Sequence, residues 1–325
     1  MSVRKLENVS WYVDERAKER GEPGMRFSFM GSLATALAYT GQEVDPTWLM
    51  GTSGWAFRII VNEIQCPSAM SVFDWSLLPE AVEQAGYRCT YVSRLWWEGE
   101  LERSRRERAH AEIVQAVNRG VPAIVWDIEI PEWGLITGYN EDTQTYDTLS
   151  CCGRMGNMAF AELGNREVKI LSVAIPGEPN GWSRREVILN SLQAAVRHAE
   201  QGEWMNRPQY MDGLAAYELW ARTIEPGHNE KAMFDFAAYY AGHYYGARCY
   251  ARDYLAWIAD GHTALGAASA AYGRVAECLR PVWERFSQVK RPDDATLSAS
   301  AQSIRQAGEA EKEGVSLLKS YLIRA

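Results

Sequence analysis

The sequence predicts an α+β domain followed by an all-α helical-bundle domain, on three observations. Helix and strand signals alternate through the first half. A Pro- and Gly-rich segment, PGEPNGWS, interrupts them near residue 180. Beyond it, apolar residues recur three and four apart with no further strand signal. The expected domains are residues 1–180 and 181–325.

In the first half, Ser28 to Thr40 is apolar and rich in small residues, as a buried helix is. WSLLPEAVEQAG and ELERSRRERAHAEIVQAVNRG each end in a Gly suited to stopping a helix. Each runs on into a stretch rich in β-branched and aromatic residues, YRCTYVSRL after Gly86 and VPAIVWDIEI after Gly120. EWGLITGYN, QTYDTLS and EVKILSVAI follow in the same style, and the polar turn NEDTQ predicts that the first two pair as an antiparallel hairpin. In the second half, SRREVILNSLQAAVRHAEQG, YMDGLAAYELWARTI, NEKAMFDFAAYYAGHYYGARCYARDYLAWIADG, HTALGAASAAYGRVAECLRPVWERFSQV and DATLSASAQSIRQAGEAEKEGVSLLKSYLIR read as successive helices of a bundle. The last is the most charged and is expected to lie on the surface.

Composition narrows the partners. With 34 basic and 42 acidic residues the net charge is −8, and no dense Lys/Arg stripe offers a path for phosphates, so nucleic acid is excluded as the expected partner. No segment approaches the roughly 18 uninterrupted apolar residues of a membrane span, and the charged N-terminus has no apolar leader core, so the expected location is the cytoplasm. Six scattered cysteines without CxxC spacing point to reduced thiols, and no metal or cofactor is expected. Adjacent Cys151 and Cys152 read as neighbouring core or loop thiols.

Two stretches carry a resemblance to a known family. FSFMGSLATALAYTG together with EWGLITGYN resembles the papain-like fold, more narrowly the double-glycine-leader peptidase-like group and, within it, the N-terminal domain of the butirosin-biosynthesis acyltransferase family. In that family the helix opens with a Cys, passes a Leu and ends in Tyr-x-Gly. Leu33, Tyr39 and Gly41 match these landmarks and place Ser28 at the cysteine. The family's His starts a strand ending in Gly-Tyr. Gly138 and Tyr139 match, which puts the His position at Glu132 or Trp133, and a third member, an Asp on the next strand, would be Asp147. The resemblance covers roughly residues 20 to 175 and implies a papain-like cysteine-peptidase-type N-terminal domain.

The chemistry of such a site needs a thiolate at a helix N-terminus, an imidazole base and a group orienting the base. A serine hydroxyl ionises far above neutrality and depends more heavily on its base. None of the five histidines, His110, His198, His228, His243 and His262, lies on the strand before Gly138. Ser28 is therefore expected to be a helix cap at a former active site, since serine is a favoured N-cap. A carboxylate at Glu132, paired with Asp147, is the weaker substitute base.

Other stretches suggest binding. Ser53 and Gly54 promise a turn with free N–H groups beside Trp55, a flat apolar surface, and Arg58, a cation, although Trp55 filling the core is the plainer reading. Trp133 and Tyr139 are further candidate ligand contacts. In LWWEGELERSRRERAH, at least one of Trp96 and Trp97 is expected to pack inward. Tyr239, Tyr240, Tyr244, Tyr245 and Tyr250 read as the aromatic centre of the bundle, or alternatively as a ligand or dimer face.

The resulting expectation is a non-catalytic family member that binds a small molecule or peptide, an acyl-carrier-linked group or an amine metabolite in the former cleft, with an acyl carrier protein as a candidate partner. The alternatives are an active acyltransferase or amidase using Ser28, and a structural or partner-binding homodimer.

Overall fold

The computed structural model describes residues 2–203, 208–228, 231–289 and 292–324. The first half runs β1 (Val3–Lys5), α1 (Glu15–Glu19), α2 (Ser28–Tyr39), α3 (Pro46–Thr52), β2 (Ile60–Asn62), α4 (Leu77–Gln84), β3 (Tyr87–Arg94), α5 (Glu102–Asn118) and β4 (Ala123–Trp126). It continues with β5 (Trp133–Asn140), β6 (Thr145–Leu149), β7 (Met155–Ala159) and β8 (Leu171–Pro179). Then come α6 (Arg184–Gln201), β9 (Tyr210–Asp212), α7 (Ala215–Ile224), α8 (Ala237–Ala259), α9 (Thr263–Gln288) and α10 (Asp294–Leu322). A mixed α/β region is thus followed by a mostly helical one.

Two compact units form. The first comprises Met1–Val13, Phe27–Asp45 and Ser76–Gly181; the second comprises Asp14–Arg26, Pro46–Trp75 and Trp182–Ala325. The chain passes from one to the other at Gly181, and two earlier segments, with α1, α3 and β2, belong to the helical unit.

The first unit is built on an antiparallel sheet of order β3-β8-β4-β5-β6-β7, with β1 also paired to β5. β5 serves two neighbours on one edge: Trp133–Ile136 pair with β4, and Gly138–Asn140 pair with β1. β5 and β6 form the hairpin expected from NEDTQ, with Asn140 opposite Thr145. A bulge between Ile136 and Gly138 inserts one residue in β5 and reverses which face its later side chains take. Trp133, before the bulge, packs on α2's end through Phe27 and Phe29, whereas Tyr139, after it, bonds Asn118 of α5.

α2 is buried from Ser28 to Leu37. Gly31 is required there, because a Cβ would stand 2.5 Å from the Trp11 ring. VPAIVWDIEI is strand only as far as Trp126; Asp127 and Glu129 then take left-handed backbone, at φ 65° and 70°, and turn the chain. The sequence signal ran on because β-branched residues continue into this loop.

In the helical unit, α8 packs on α9, α9 on α10, and α10 on α7. Ser183 opens α6 with a capping box, its Oγ accepting the Glu186 N–H at 3.2 Å while the Glu186 carboxylate accepts the Ser183 N–H at 2.8 Å. Strands do not end at residue 180: Tyr210–Asp212, expected to open a helix, pair antiparallel with β2. Neighbouring Gly213, at φ 61°, ends that strand before α7. Of the segment expected as one helix from Asn229, the first two residues lie outside the described ones and α8 begins at Ala237. α10 lies at the surface of its unit with one face turned inward: it buries Leu297, Ile304, Glu311, Val315 and Leu318 and exposes Gln302, Gln306, Glu309, Lys312 and Glu313. No helix among the described residues is long and apolar enough to cross a membrane.

Candidate functional site

Ser28 and Glu132, 104 positions apart, meet in the sheet unit. The Ser28 hydroxyl donates to Glu132 Oε2 and accepts the Trp133 backbone N–H at 3.2 Å. Its helix is headed by Phe27, whose side chain makes no cap bond. Ser28 is thus the first helical residue and not the N-cap that serine's preference suggested; its oxygen serves the neighbouring strand instead.

Two local features hold this arrangement. Trp133 is fully buried, its ring 5.6 Å from Phe27, 5.9 Å from Phe29 and 4.4 Å from Trp126, so aromatic packing clamps the start of β5 to the start of α2. The loop from Asp127 folds back on Glu132, whose carbonyl accepts the N–H groups of Asp127 at 2.9 Å and Ile128 at 3.3 Å. The Glu132 backbone is fixed, and its side chain stays partly open to solvent. Nearby, burial first, with a smaller opposing pull from Arg166, leaves the Asp127 carboxyl raised above its ordinary value.

Asp147 takes a different position. It sits opposite Gly138, five residues beyond Trp133 along β5, bonded by Asn157 at 3.3 Å and paired with Lys5 at 3.5 Å. Gly138 is required at this point, since a Cβ would lie 2.5 Å from Asp147 Oδ2 and 2.9 Å from the Arg4 carbonyl. The register that pairs Leu135 with Leu149 runs on past Leu149 toward Cys151, which lies close enough to Glu132 to feel its charge. Burial first, then Glu132 and Cys152, push the Cys151 thiol up to about 12. Counting back from the NEDTQ turn, Asn140 opposite Thr145, would have reached Cys152, and the bulge in β5 brings Cys151 instead; the family landmark led to Asp147.

The other candidates are internal. Trp133 offers only its backbone N–H to Ser28. Tyr139 is 1% exposed; its hydroxyl bonds Asn118 at 3.0 Å and Ser2 at 2.8 Å. In the helical unit Ser53, Trp55 and Arg58 are buried. Arg58 bonds Glu203 at 2.8 and 3.1 Å and the Ser53 carbonyl at 3.0 Å, with Trp55 beneath its guanidinium at 4.8 Å, so its charge is spent inside the unit. Gly54 has positive φ, and a Cβ there would press on Arg58. Trp96 and Trp97 are both exposed and pack against each other edge to face, against the expectation that one turns inward.

A cavity of about 240 Å³ opens elsewhere in the sheet unit, lined by Glu129, Thr148, Ser150, Arg154, Asn157 and Arg166 among others. Strand alternation puts Thr148 on the same face as Tyr146, which meets His110 of α5 at 2.6 Å, and opposite to Asp147 and Leu149. That is the far face of the sheet from Trp133 and α2. Among the described residues, no three His, Cys, Asp or Glu side chains gather as metal ligands would.

No protein-family model matches the chain, and no curated protein matches it.

Proposed function

We propose that the sheet unit is a non-catalytic relative of the cysteine-peptidase and acyltransferase-like domains, which binds an amine-bearing small molecule or peptide at Glu132. The carrying observation is the state of the Ser28 hydroxyl. The hydroxyl donates to Glu132 and its oxygen takes the Trp133 N–H, and with the residue only 6% exposed little of it is open to an incoming acyl carbonyl. A partly exposed carboxylate beside this closed centre suits an ammonium group, through a charge-assisted hydrogen bond.

The second reading is an active acyltransferase or amidase in which Glu132 is the general base for Ser28. Its support is that hydroxyl and carboxylate stand in the contact a nucleophile and base require. An activated acyl ester distinguishes the two. Intact-mass analysis is expected to show Ser28 unmodified under conditions that label a serine hydrolase; an acyl adduct lost in Ser28→Ala would establish the active enzyme instead. Calorimetry with a panel of primary amines is expected to show binding that weakens in Glu132→Gln, and equal binding in both proteins would remove Glu132 from the ligand site.

A further inference from the structure

The turn joining β6 to β7 carries two adjacent thiols. Ser150 N–H donates to the Arg154 carbonyl and Gly153 N–H to the Ser150 carbonyl, each at 2.9 Å, so the backbone around Cys151 and Cys152 is fixed. Cys152 is exposed, Cys151 is half-buried, and both are free thiols. Cys151 lies close enough to Cys152 and to Glu132 to interact electrostatically with both.

Two neighbouring thiols can close in two ways. A direct disulfide is built for Cα atoms about 4.4–6.8 Å apart. Successive residues across a trans peptide are about 3.8 Å apart, and no cis peptide occurs among the described residues. A direct sulfur–sulfur bond is therefore poorly matched to this turn. Two free thiols on successive residues of this bonded turn are better matched to a third atom bridging them.

We propose that Cys151 and Cys152 form a vicinal dithiol site for a trivalent arsenical or a similarly thiophilic metalloid. The chemistry balances without an oxidant. An arsenic(III) oxide unit exchanges its oxygen for two sulfurs: two S–H bonds and the arsenic–oxygen bond break, two As–S bonds form, the oxygen leaves as water with both thiol protons, and arsenic stays trivalent. Exposed Cys152 bonds first and half-buried Cys151 closes the ring. Cys151 lies near Glu132, the carboxylate that pairs with Ser28. The site does not depend on whether that pair is catalytic.

The test uses the full chain and phenylarsine oxide. Intact-mass spectrometry is expected to show one adduct that survives excess glutathione and is removed by ethanedithiol, because two sulfurs hold it. Cys151→Ser and Cys152→Ser are each expected to lose it. Cys152 is exposed, so Cys152→Ser should melt as the unsubstituted protein does, and its loss of the adduct then reads the site and not the fold. No adduct on the unsubstituted protein, an adduct that glutathione strips, or one that persists in either variant overturns the proposal.

Discussion

Glu132 in the sheet unit and Glu311 in the helical unit each accept a hydrogen bond from a hydroxyl, of Ser28 and Tyr217 respectively. Glu311 is 1% exposed and also takes two bonds from Arg248, at 2.7 and 2.8 Å. Arg248 in turn donates to the carbonyls of Ala56 at 3.2 Å and Arg58 at 2.8 Å. Glu311 and Arg248 answer each other within the unit, which is what a buried charge requires to be tolerated. Glu132 keeps part of its surface in water. A buried charge answered by an opposite charge within its own unit is structural, whereas Glu132, bonded by Ser28, also reaches solvent. The same rule reassigns Arg58, saturated by Glu203, from ligand contact to internal strut.

The largest expected effect tests the saturated end of this comparison. Glu311→Ala strands the Arg248 guanidinium in the core and should lower stability by about 3–5 kcal/mol in urea unfolding. Replacing both partners with apolar residues, Arg248→Met with Glu311→Leu, should recover most of that loss. A loss under about 1 kcal/mol in the single variant would show that Arg248 finds another partner or water, and the contrast with Glu132 would collapse.

A second test uses pH. Burial first, then Arg26 and Arg248, push the His243 imidazole down to about 3 from its ordinary 6.5. The unfolded chain takes up this proton below its ordinary pKa, while the folded helical unit resists it until about 3. The stability contribution is complete above 6.5 and is lost as pH falls from there toward 3. At about pH 5 the loss should reach roughly 2 kcal/mol, at about 1.4 kcal/mol per unit. His243→Phe should flatten this part of the stability–pH curve, and an unchanged slope would place the imidazole in a more solvated setting. Glu203 acts in the same direction at lower pH: burial alone would raise it, but Arg58 and His198 outweigh this and hold it well below 4.5, so its contribution is lost as pH falls below that value.

The smallest effects belong to the sheet unit. Ser28→Ala leaves the Trp133 N–H without its acceptor and should cost about 1 kcal/mol. Asp147→Asn should cost less than about 0.5 kcal/mol, because solvent reaches the Lys5–Asp147 pair, with Lys5 46% and Asp147 24% exposed. A larger cost for Asp147 than for Ser28 in thermal unfolding would reverse the ranking of the two positions.

Much of the local structure is legible in the sequence. The helix from Ser28, the β5–β6 hairpin and the long helices past residue 184 follow from hydrophobic period and turn chemistry, which act over a few residues. β1, β2 and β9 were not legible, because each spans three residues and is defined only by a partner far away in sequence. β2 illustrates the point: β9 covers one edge, and the tyrosine hydroxyls of α8 meet its backbone on Ile60 and Asn62 at 3.0 and 3.3 Å. The tyrosine stripe announced a buried aromatic helix but not that its hydroxyls would stand in for a strand.

The candidate site divides in the same way. By itself the sequence determined which residue types are present: a serine opening an apolar helix, no histidine on the strand ending in Gly138-Tyr139, and two adjacent cysteines after Leu149. Tertiary structure decided which of them meet. The bulge in β5 and the register of its hairpin send Asp147 to Lys5 and bring Cys151 toward Glu132, while the Trp133 cluster fixes Ser28 against Glu132. The reason is physical: period and propensity are set by neighbours along the chain, whereas the Ser28–Glu132 contact and the Trp133 ring packing join residues about a hundred positions apart, and a one-residue shift in the hairpin register exchanges the face on which every later side chain stands.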